Sequence, residues 1–265
     1  TAIDLFAGAI LPGLMLVVLF IIFIFIYARI NPLSCPPVET TKSRTEIYIE
    51  AAKSVVPPIT LIVLVLGSIL FGIATPTESA SVGAVGAAII ALLKGELNFK
   101  NIKETALGTV KRSSFVFVIL IGASMFSLVF RGFGGDEMIE HFLGTLPGGL
   151  YAALILVMVV IFLLGFFLDY IEIIFVIVPL VGPILIANGA DPLWLGILIS
   201  LNLQTSFLTP PFGFSLFFLR GVAPSSIKTR NMYRGVIPFI GIQVLAILIV
   251  GFYPEIATWL PNKMF

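Results

Sequence analysis

The 265-residue chain is 59% hydrophobic and 11% charged, with a net charge of +1 and a mean hydropathy of +1.15. Soluble domains carry about 25% charged residues, so this composition excludes a soluble protein and predicts an all-α integral membrane protein with several spans. The near-zero net charge gives no sign of nucleic-acid binding. The single cysteine, Cys35, excludes an internal disulfide and a multi-cysteine metal site, and the lone His141 excludes a histidine cluster.

Hydrophobic runs and breaks define the elements in chain order. The sequence opens at Thr1 and becomes hydrophobic within a few residues, so we expect a piece of a longer polypeptide. The runs predict full spans at about 4–27, 55–73, 79–93, 113–130 and 235–253. Between the spans we expect a polar surface helix at 38–53, a basic amphipathic connector at 94–112 and a short acidic helix at 136–143 that carries a surface His141.

The segment ATPTES, residues 74–79, separates the second and third spans. Pro76 and Glu78 suit the first turn of a helix. The backbone N–H that proline lacks has no helical partner there, and the helix dipole favours an acidic side chain. We therefore expect a tight turn between two spans here, rather than a functional break.

An apolar run at 150–187 contains two acids, Asp169 and Glu172, on one helical face. The run exceeds the about 20 residues of one span, and a carboxylate inside a bilayer costs about 3 kcal/mol. The sequence within thirty residues on either side contains no Lys or Arg. The pattern favours a helical hairpin whose tip, from Gly165 to Asp169, binds a hard cation through the carboxylate and freed carbonyl groups. The alternative is a kinked span whose acids pair with a distant base.

A second break follows at 204–211, QTSFLTPP. Pro210 and Pro211 remove two backbone donors and disfavour helix at Thr209. The functional interpretation is an unwound segment that faces the hairpin tip, and the alternative is an ordinary proline kink. The polar side chains that this segment offers are the hydroxyls of Thr205, Ser206 and Thr209 and the amides of Asn202 and Gln204.

The distribution of basic residues orients the spans. Thirteen of the 15 Lys and Arg residues fall in three stretches, at 29–53, 94–112 and 220–234. All three stretches lie on one side if 55–93 crosses twice, 150–187 returns to its starting side and 193–222 crosses once, and we expect that side to be cytoplasmic. A re-entrant hairpin and two full spans satisfy this rule equally well, and the missing polar connector at 166–172 favours the re-entrant hairpin.

Three motifs in order resemble the large membrane subunit of TRAP transporters, the tripartite ATP-independent periplasmic transporters. They are GIATPTESASVGAVGA at 72–87, LGFFLDYIEIIFVIVPLVGP at 164–183 and NLQTSFLTPPFGFSLFFLRGVAP at 202–224. GAILPGLM at 8–15 also looks like the segment that follows the family's first hairpin. The resemblance covers nearly the whole chain and implies the C-terminal half of that subunit, with an elevator-type, ion-transporter-like fold.

The resemblance implies six regions. They are a transport-domain span at 1–30, a cytoplasmic connector at 31–54, scaffold spans in 55–135, an arm helix plus re-entrant hairpin at 136–188, a discontinuous helix at 189–222, and a final span with the C-terminus at 223–265.

The resemblance also implies a function. TRAP transporters import organic acids with Na⁺ as the coupling ion across the bacterial or archaeal inner membrane, and an elevator-like motion carries the site. Their partners are a small membrane subunit and a periplasmic substrate-binding protein. The family's hairpin aspartate falls on Asp169 and its Thr-Pro-Pro break on 209–211. Many members have a small residue where this chain has Glu172. The Tyr-Ile-Glu sequence of this chain resembles a subgroup labelled for mannitol or chloroaromatic compounds, some of whose members resemble importers of 2-oxo acids or lactate.

These arguments assign two groups of residues and no catalytic residue. The expected ion-binding group is Gly165, Asp169, Thr205, Ser206 and Thr209, with Na⁺ at Asp169 and Thr209. The expected substrate-binding or site-shaping group is Glu172, Asn202, Gln204, Pro210, Pro211 and Gly213. The alternatives are another Na⁺/anion symporter and a channel or scaffold subunit. An intramembrane protease is disfavoured, because both acids share one turn instead of facing each other from two helices.

Overall fold

The computed structural model describes residues 1–36, 43–210, 213–224 and 227–264, and every regular element in that part of the chain is helical. The longer helices are α1 Ala2–Ile30, α2 Arg44–Leu70, α3 Pro76–Leu93, α4 Phe99–Gly132, α5 Gly135–Gly144, α6 Gly149–Leu164, α8 Val178–Ala187, α9 Pro192–Leu208, α10 Phe214–Val222, α11 Thr229–Phe252 and α12 Glu255–Met264. A one-turn helix covers Pro32–Ser34, and the short helix α7, Tyr170–Glu172, leads through the π segment Ile173–Ile177 into α8.

Six helices in the described residues are long and apolar enough to cross a bilayer. They are α1, α2, α3, α4, α11 and the combined stretch Tyr170–Ala187, whereas α6 and α9 are shorter apolar helices. Large apolar side chains on these helices are widely exposed, among them Ile21, Val63 and Phe117. Because apolar surface of this extent suits a lipid environment, the chain is an all-α, multi-pass membrane protein, as its composition predicts.

The chain divides into two compact units, Thr1–Ala7 with Ile22–Arg112 and Gly8–Ile21 with Ser113–Phe265. In the first unit α2 and α3 form a hairpin. A Cβ atom on Gly86 would overlap Leu61, so the glycine permits the two helices to approach closely. The hydroxyl oxygens of Ser68 and Ser79 lie 2.8 Å apart, which satisfies the buried Ser79.

The predicted boundaries of the second and fourth spans are wrong. The polar stretch from Arg44 and the following span form one helix, α2, and the basic connector is continuous with the next span in α4. Ser43 closes a capping box with Glu46, so the polar stretch has its own helix start, and Pro57 and Pro58 do not end the helix. Residues 37–42, where the predicted surface helix begins, lie outside the described residues.

The second unit is built around α9, which packs against α6, α10, α11 and α12. Asp191 caps its first turn by accepting from the amide of Trp194 at 2.8 Å, next to Pro192 at the first helical position. The buried Trp194 indole donates to the carbonyl of Val250 on α11 at 2.8 Å. A Cβ on Gly8 would meet the carbonyl of Ala257 at 2.9 Å, so α1 lies close against α12. These contacts hold α9 with its C-terminal end at the second break.

Candidate ion and substrate site

The first interruption is a short turn, residues 165–169, that joins α6 to the arm Tyr170–Ala187, and the two arms pack together as a hairpin. Gly165 follows α6 directly, and its amide donates to the carbonyl of Ile161 at 2.9 Å. Asp169 caps the second arm, where its Oδ1 accepts from the amide of Tyr170 at 2.7 Å. The turn therefore runs from the end of α6 to the start of α7, and it covers the predicted tip from Gly165 to Asp169.

The turn leaves several carbonyl oxygens without partners. The amides of Phe166 and Leu168 donate to Leu163 and Leu164, which are carbonyls of the last turn of α6. Within the described part of the chain, the carbonyls of Gly165, Phe166 and Leu168 accept no hydrogen bond. Since a helix C-terminus leaves acceptors that need a donor, water or a cation, these oxygens remain available for binding.

Both acids are half-buried. Asp169 has the one backbone partner described above, and Glu172 makes no hydrogen bond or ion pair within the described residues. Neither carboxylate pairs with a Lys or Arg in that part of the chain. The alternative of a kinked span with a distant basic partner therefore has no support in the described contacts.

The second interruption separates α9 from α10. The unwound segment predicted at 204–211 is too long, because α9 stays helical to Leu208 and Thr205 and Ser206 lie in its last turns. Thr209 ends α9, its amide donates to the carbonyl of Ser206 at 3.0 Å, and Pro210 follows in a turn. Gly213 is buried with φ +28°, and a Cβ there would lie 3.1 Å from the carbonyl oxygen of Thr209. A larger residue at Gly213 would therefore be strained and crowded. Pro211 lies outside the described residues.

Three hydroxyls form a ladder along the last turns of α9. Thr205 donates to Leu201 at 2.8 Å, Ser206 to Leu203 at 2.9 Å, and Thr209 to the carbonyl of Thr205 at 2.8 Å. Such back-bonding satisfies the hydroxyl hydrogen and often bends a helix. Each oxygen keeps acceptor lone pairs, so it can still bind a cation. Thr205 and Ser206 are 0% and 1% exposed, whereas Thr209 is half-buried.

The two interruptions meet. A Cβ on Gly165 would overlap Oγ and Cβ of Ser206, so only glycine permits this approach of the hairpin tip to α9. The rings of Tyr170 and Phe207 contact edge to face, with centroids 6.4 Å apart. The structure therefore brings together Gly165 and Ser206, which line one narrow cleft with Leu168 and Tyr170. Among the described residues, neither Asp169 nor Thr209 lines this cleft.

The side-chain amides of Asn202 and Gln204, both predicted to belong to the site, differ in their burial and contacts. Asn202 is 3% exposed and donates to the carbonyl of Met158 at 2.7 Å, so it joins α9 to α6. Gln204 is exposed and lines a cavity of about 290 Å³ with Tyr170 and Phe207. Sequence reasoning missed these two rings and also Gln243 on α11, whose only signal is one amide within an apolar run.

An all-helical chain with several apolar spans and two interrupted helices in contact has the architecture of a secondary membrane transporter. The family model described as "Tripartite ATP-independent periplasmic transporter, DctM component" matches residues 1–256. The chain belongs to this family of transporter subunits, in agreement with the resemblance of its motifs, and it is a multi-pass protein of the bacterial inner membrane.

Several relatives are named for their cargo. The C4-dicarboxylate TRAP transporter large permease protein DctM of Vibrio cholerae is 32% identical and aligns with 98% of this chain and 61% of its own length. The ectoine large permease protein TeaC of Halomonas elongata is 30% identical over 99% of this chain and 60% of its own. The sialic acid large permease protein SiaM of Vibrio cholerae is 24% identical over 97% and 59%. The chain thus spans about three fifths of the length of these relatives, each of which is named as a TRAP transporter large permease protein.

Proposed function

We propose that this chain carries an Na⁺ and carboxylate site of a TRAP transporter and acts in Na⁺-coupled import of an organic acid. The observation that carries the proposal is the contact of Gly165 with Ser206, which joins the tip that bears Asp169 to the hydroxyl-rich end of α9. In transporters with interrupted helices, unwound carbonyls and helix ends bind ions and substrate near the bilayer midplane. We place the tip at that depth, as a re-entrant hairpin.

The oxygen atoms available as ligands fit a singly charged hard cation. They comprise one carboxylate, on Asp169, and neutral oxygens from the tip carbonyls and the hydroxyls of Thr205, Ser206 and Thr209. No group of three or more His, Cys, Asp or Glu suited to a metal ion occurs among the described residues. One negative charge among neutral oxygens matches Na⁺ better than a divalent ion, which prefers more carboxylates.

Substrate charge is met without a basic side chain in this proposal. The residues that line the 290 Å³ cavity between the second arm and α9 are all uncharged. Bound Na⁺, the hydroxyl of Thr209 and the N-terminus of α10 would supply the positive potential for a carboxylate. Ion and substrate would therefore stabilise each other's binding, which is the physical basis of coupling.

The partners belong to the same proposal. The family name describes a tripartite system, so we propose a small membrane subunit and a periplasmic substrate-binding protein as partners of the full-length protein. The relatives named for C4-dicarboxylates, ectoine and sialic acid suggest small polar organic cargo, and an organic acid fits the site described above.

Uptake by the complete system tests this function. The full-length large subunit and its small subunit are reconstituted in proteoliposomes with the binding protein, and uptake of labelled succinate, pyruvate and mandelate is measured with and without an inward Na⁺ gradient. Asp169→Asn keeps an oxygen that can cap the second arm but removes the charge. Uptake should fall to background, while assembly and melting temperature stay near wild type.

Asp191→Asn is the matched control, because Asp191 also caps a helix and accepts one backbone amide. This change should leave Na⁺-driven uptake intact. Uptake by Asp169→Asn with an unchanged sodium dependence would refute the proposed ion site, and uptake by the wild type that ignores the Na⁺ gradient would refute the coupling.

A further inference from the structure

The first part of α4, residues 99–112, carries an apolar stripe that lies outside the proposed site. The stripe consists of Phe99, Ile102, Ala106 and Val110, whose spacing of three and four residues places them on one face of the helix. Phe99 is 81%, Ile102 50% and Val110 61% exposed. None of the extensive helix–helix contacts among the described residues involves α4. Within that part of the chain, the stripe therefore stays largely uncovered.

A basic stripe runs beside the apolar one. Its members, Lys100, Lys103 and Lys111, each follow directly after a residue of the apolar stripe, so the lysines lie about 100° further around the helix. All three are exposed. Lys100 lies 4.0 Å from Glu104, whereas Lys103 and Lys111 form no ion pair within the described residues. The basic stripe therefore presents positive charge that its own helix does not neutralise.

The start of α2 shows that a polar helical segment of this chain does not require such a charge. Its first ten residues, 44–53, contain two basic and two acidic residues. Residues 99–112 contain four basic residues and one acid, an excess of three positive charges. The preference for basic residues on one side of a membrane explains their number. It does not explain their alignment beside an exposed apolar stripe, which is the pattern of a helix at a membrane surface.

The length of α4 also indicates a membrane surface. The helix has 34 residues and is about 51 Å long, whereas the hydrocarbon core is about 30 Å thick and takes about 20 residues. The apolar residues 113–132 match that core. In an upright helix, the first residues of the apolar stripe would lie in water beyond the headgroups. A tilt of α4 instead keeps the apolar stripe in contact with lipid and leaves the basic stripe at headgroup level.

We propose that this part of α4 is a binding site for anionic phospholipids. Acyl chains cover the apolar stripe, and the phosphate groups bind the lysines of the basic stripe. A lysine packs its stem along apolar surface while its ammonium group extends to the interface, and each basic residue near an anionic surface adds attraction. Lysine is depleted in protein–protein interfaces, which favours lipid over a protein occupant. The proposal goes beyond ion and substrate binding and depends on neither.

Lipid-specific quenching in the full-length complex tests this site. The large and small subunits are reconstituted in vesicles of phosphatidylcholine and phosphatidylglycerol in equal amounts, with a fluorophore attached at Ala106→Cys in a background without other cysteines. One of the two lipids carries a nitroxide on its acyl chain, which quenches the fluorophore on contact. Phosphatidylglycerol should be enriched at the label at least roughly fivefold over phosphatidylcholine, the effect of about one lysine at an anionic surface. High salt should reduce the enrichment by screening.

Charge variants should move the enrichment in both directions. The combination of Lys100→Gln, Lys103→Gln and Lys111→Gln should remove most of it, and arginine at the same three positions should retain it. Glu104→Gln should increase it, because the acid that faces Lys100 is removed. Lys53→Gln is the matched control, since it removes a lysine from the charge-balanced start of α2, and it should change nothing. All of these side chains are exposed, so the melting temperature should stay near wild type.

Equal quenching by the two lipids in the wild type, or an unchanged preference in the triple glutamine variant, would overturn the proposal. Quenching by neither lipid would overturn it as well, because another protein segment would then cover the apolar stripe. The assay contains no ion gradient and no substrate, so its failure would leave the Na⁺-coupled function standing. In the same way, uptake that ignores Na⁺ would leave this lipid site unaffected.

Discussion

The α2–α3 hairpin and the hairpin around Asp169 have the same arrangement of helices, but the hydrogen bonds at their turns differ. Each joins two apolar helices through a short turn with an acid near the start of the second helix. In the first, Glu78 accepts from the amide and the hydroxyl of Thr75, both at 2.8 Å, and closes a capping box. In the second, Asp169 caps only the next residue, and several tip carbonyls remain without partners among the described residues.

The difference separates a turn that satisfies its own acid from a turn whose acceptors stay open among the described residues, as the proposed ion site requires. The acid of the first hairpin is satisfied by its own turn, so nothing more is needed to stabilise it. The second hairpin leaves acceptors and a charge without partners among the described residues, and such groups need water, an ion, a ligand or another protein segment. Sequence alone places an acid in both turns, and the distinguishing observation is where the backbone and side-chain hydrogen bonds go.

Glycine substitutions should give the largest difference between the two hairpins in Na⁺-driven uptake. Gly165→Ala pushes a Cβ into Ser206, whereas Gly86→Ala meets the tip of the flexible Leu61 side chain. Overpacking costs about 1–3 kcal/mol, so Gly165→Ala should shift the junction and reduce Na⁺-driven uptake roughly 5- to 150-fold. Gly86→Ala should retain most uptake. Equal losses in both variants, measured per folded complex, would contradict the comparison.

The hydroxyl of Thr209 should contribute to sodium affinity. Thr209→Val keeps the shape but removes an oxygen at the end of α9, and the sodium concentration for half-maximal uptake should rise roughly tenfold. Thr209→Ser retains the hydroxyl and serves as the control, with an affinity near wild type. A valine variant with normal sodium affinity would remove Thr209 from the ion site.

Glu172 should act at a distance. It lies one turn after Asp169, and a charge that does not contact a cation acts on it more weakly than a direct ligand does. Glu172→Gln should therefore weaken sodium binding less than Thr209→Val does, without abolishing uptake. A total loss would instead assign Glu172 as a direct ligand, and the sodium titration of uptake distinguishes these outcomes.

Glu78→Ala should have the smallest effect on transport. The change removes the capping box at the start of α3, so the melting temperature of the complex should fall measurably. Glu78→Gln keeps the box and should restore the melting temperature. Na⁺-driven uptake per folded complex should match wild type in both variants, and a loss of uptake in Glu78→Gln would show that this turn also serves function.

The sequence predicts the breaks better than the contacts between them. Proline, glycine and acid patterns locate the turns at 74–79 and 165–169, because these residues act on their own backbone. The break predicted at 204–211 begins too early, since α9 stays helical to Leu208. Polarity misplaces the boundaries of α2 and α4, since a polar stretch with a cap at Ser43 continues a helix as well as an apolar one. Tertiary packing decides the rest, including the contact of Gly165 with Ser206 and the unpartnered amide oxygen of Gln243 within the described residues.

The π segment Ile173–Ile177 determines how Asp169 and the start of the second arm are rotated relative to α8. The amide of Val178 bonds to the carbonyl of Ile173, one residue further back than in an α-helix. Pro179 follows without an N–H for the carbonyl of Phe175, which favours this widened turn. One extra residue rotates everything before it by about 100° relative to α8 and lengthens the arm by about 1.5 Å. Deletion of Val176 would therefore turn Asp169 to a different side of the arm while the helix stays intact.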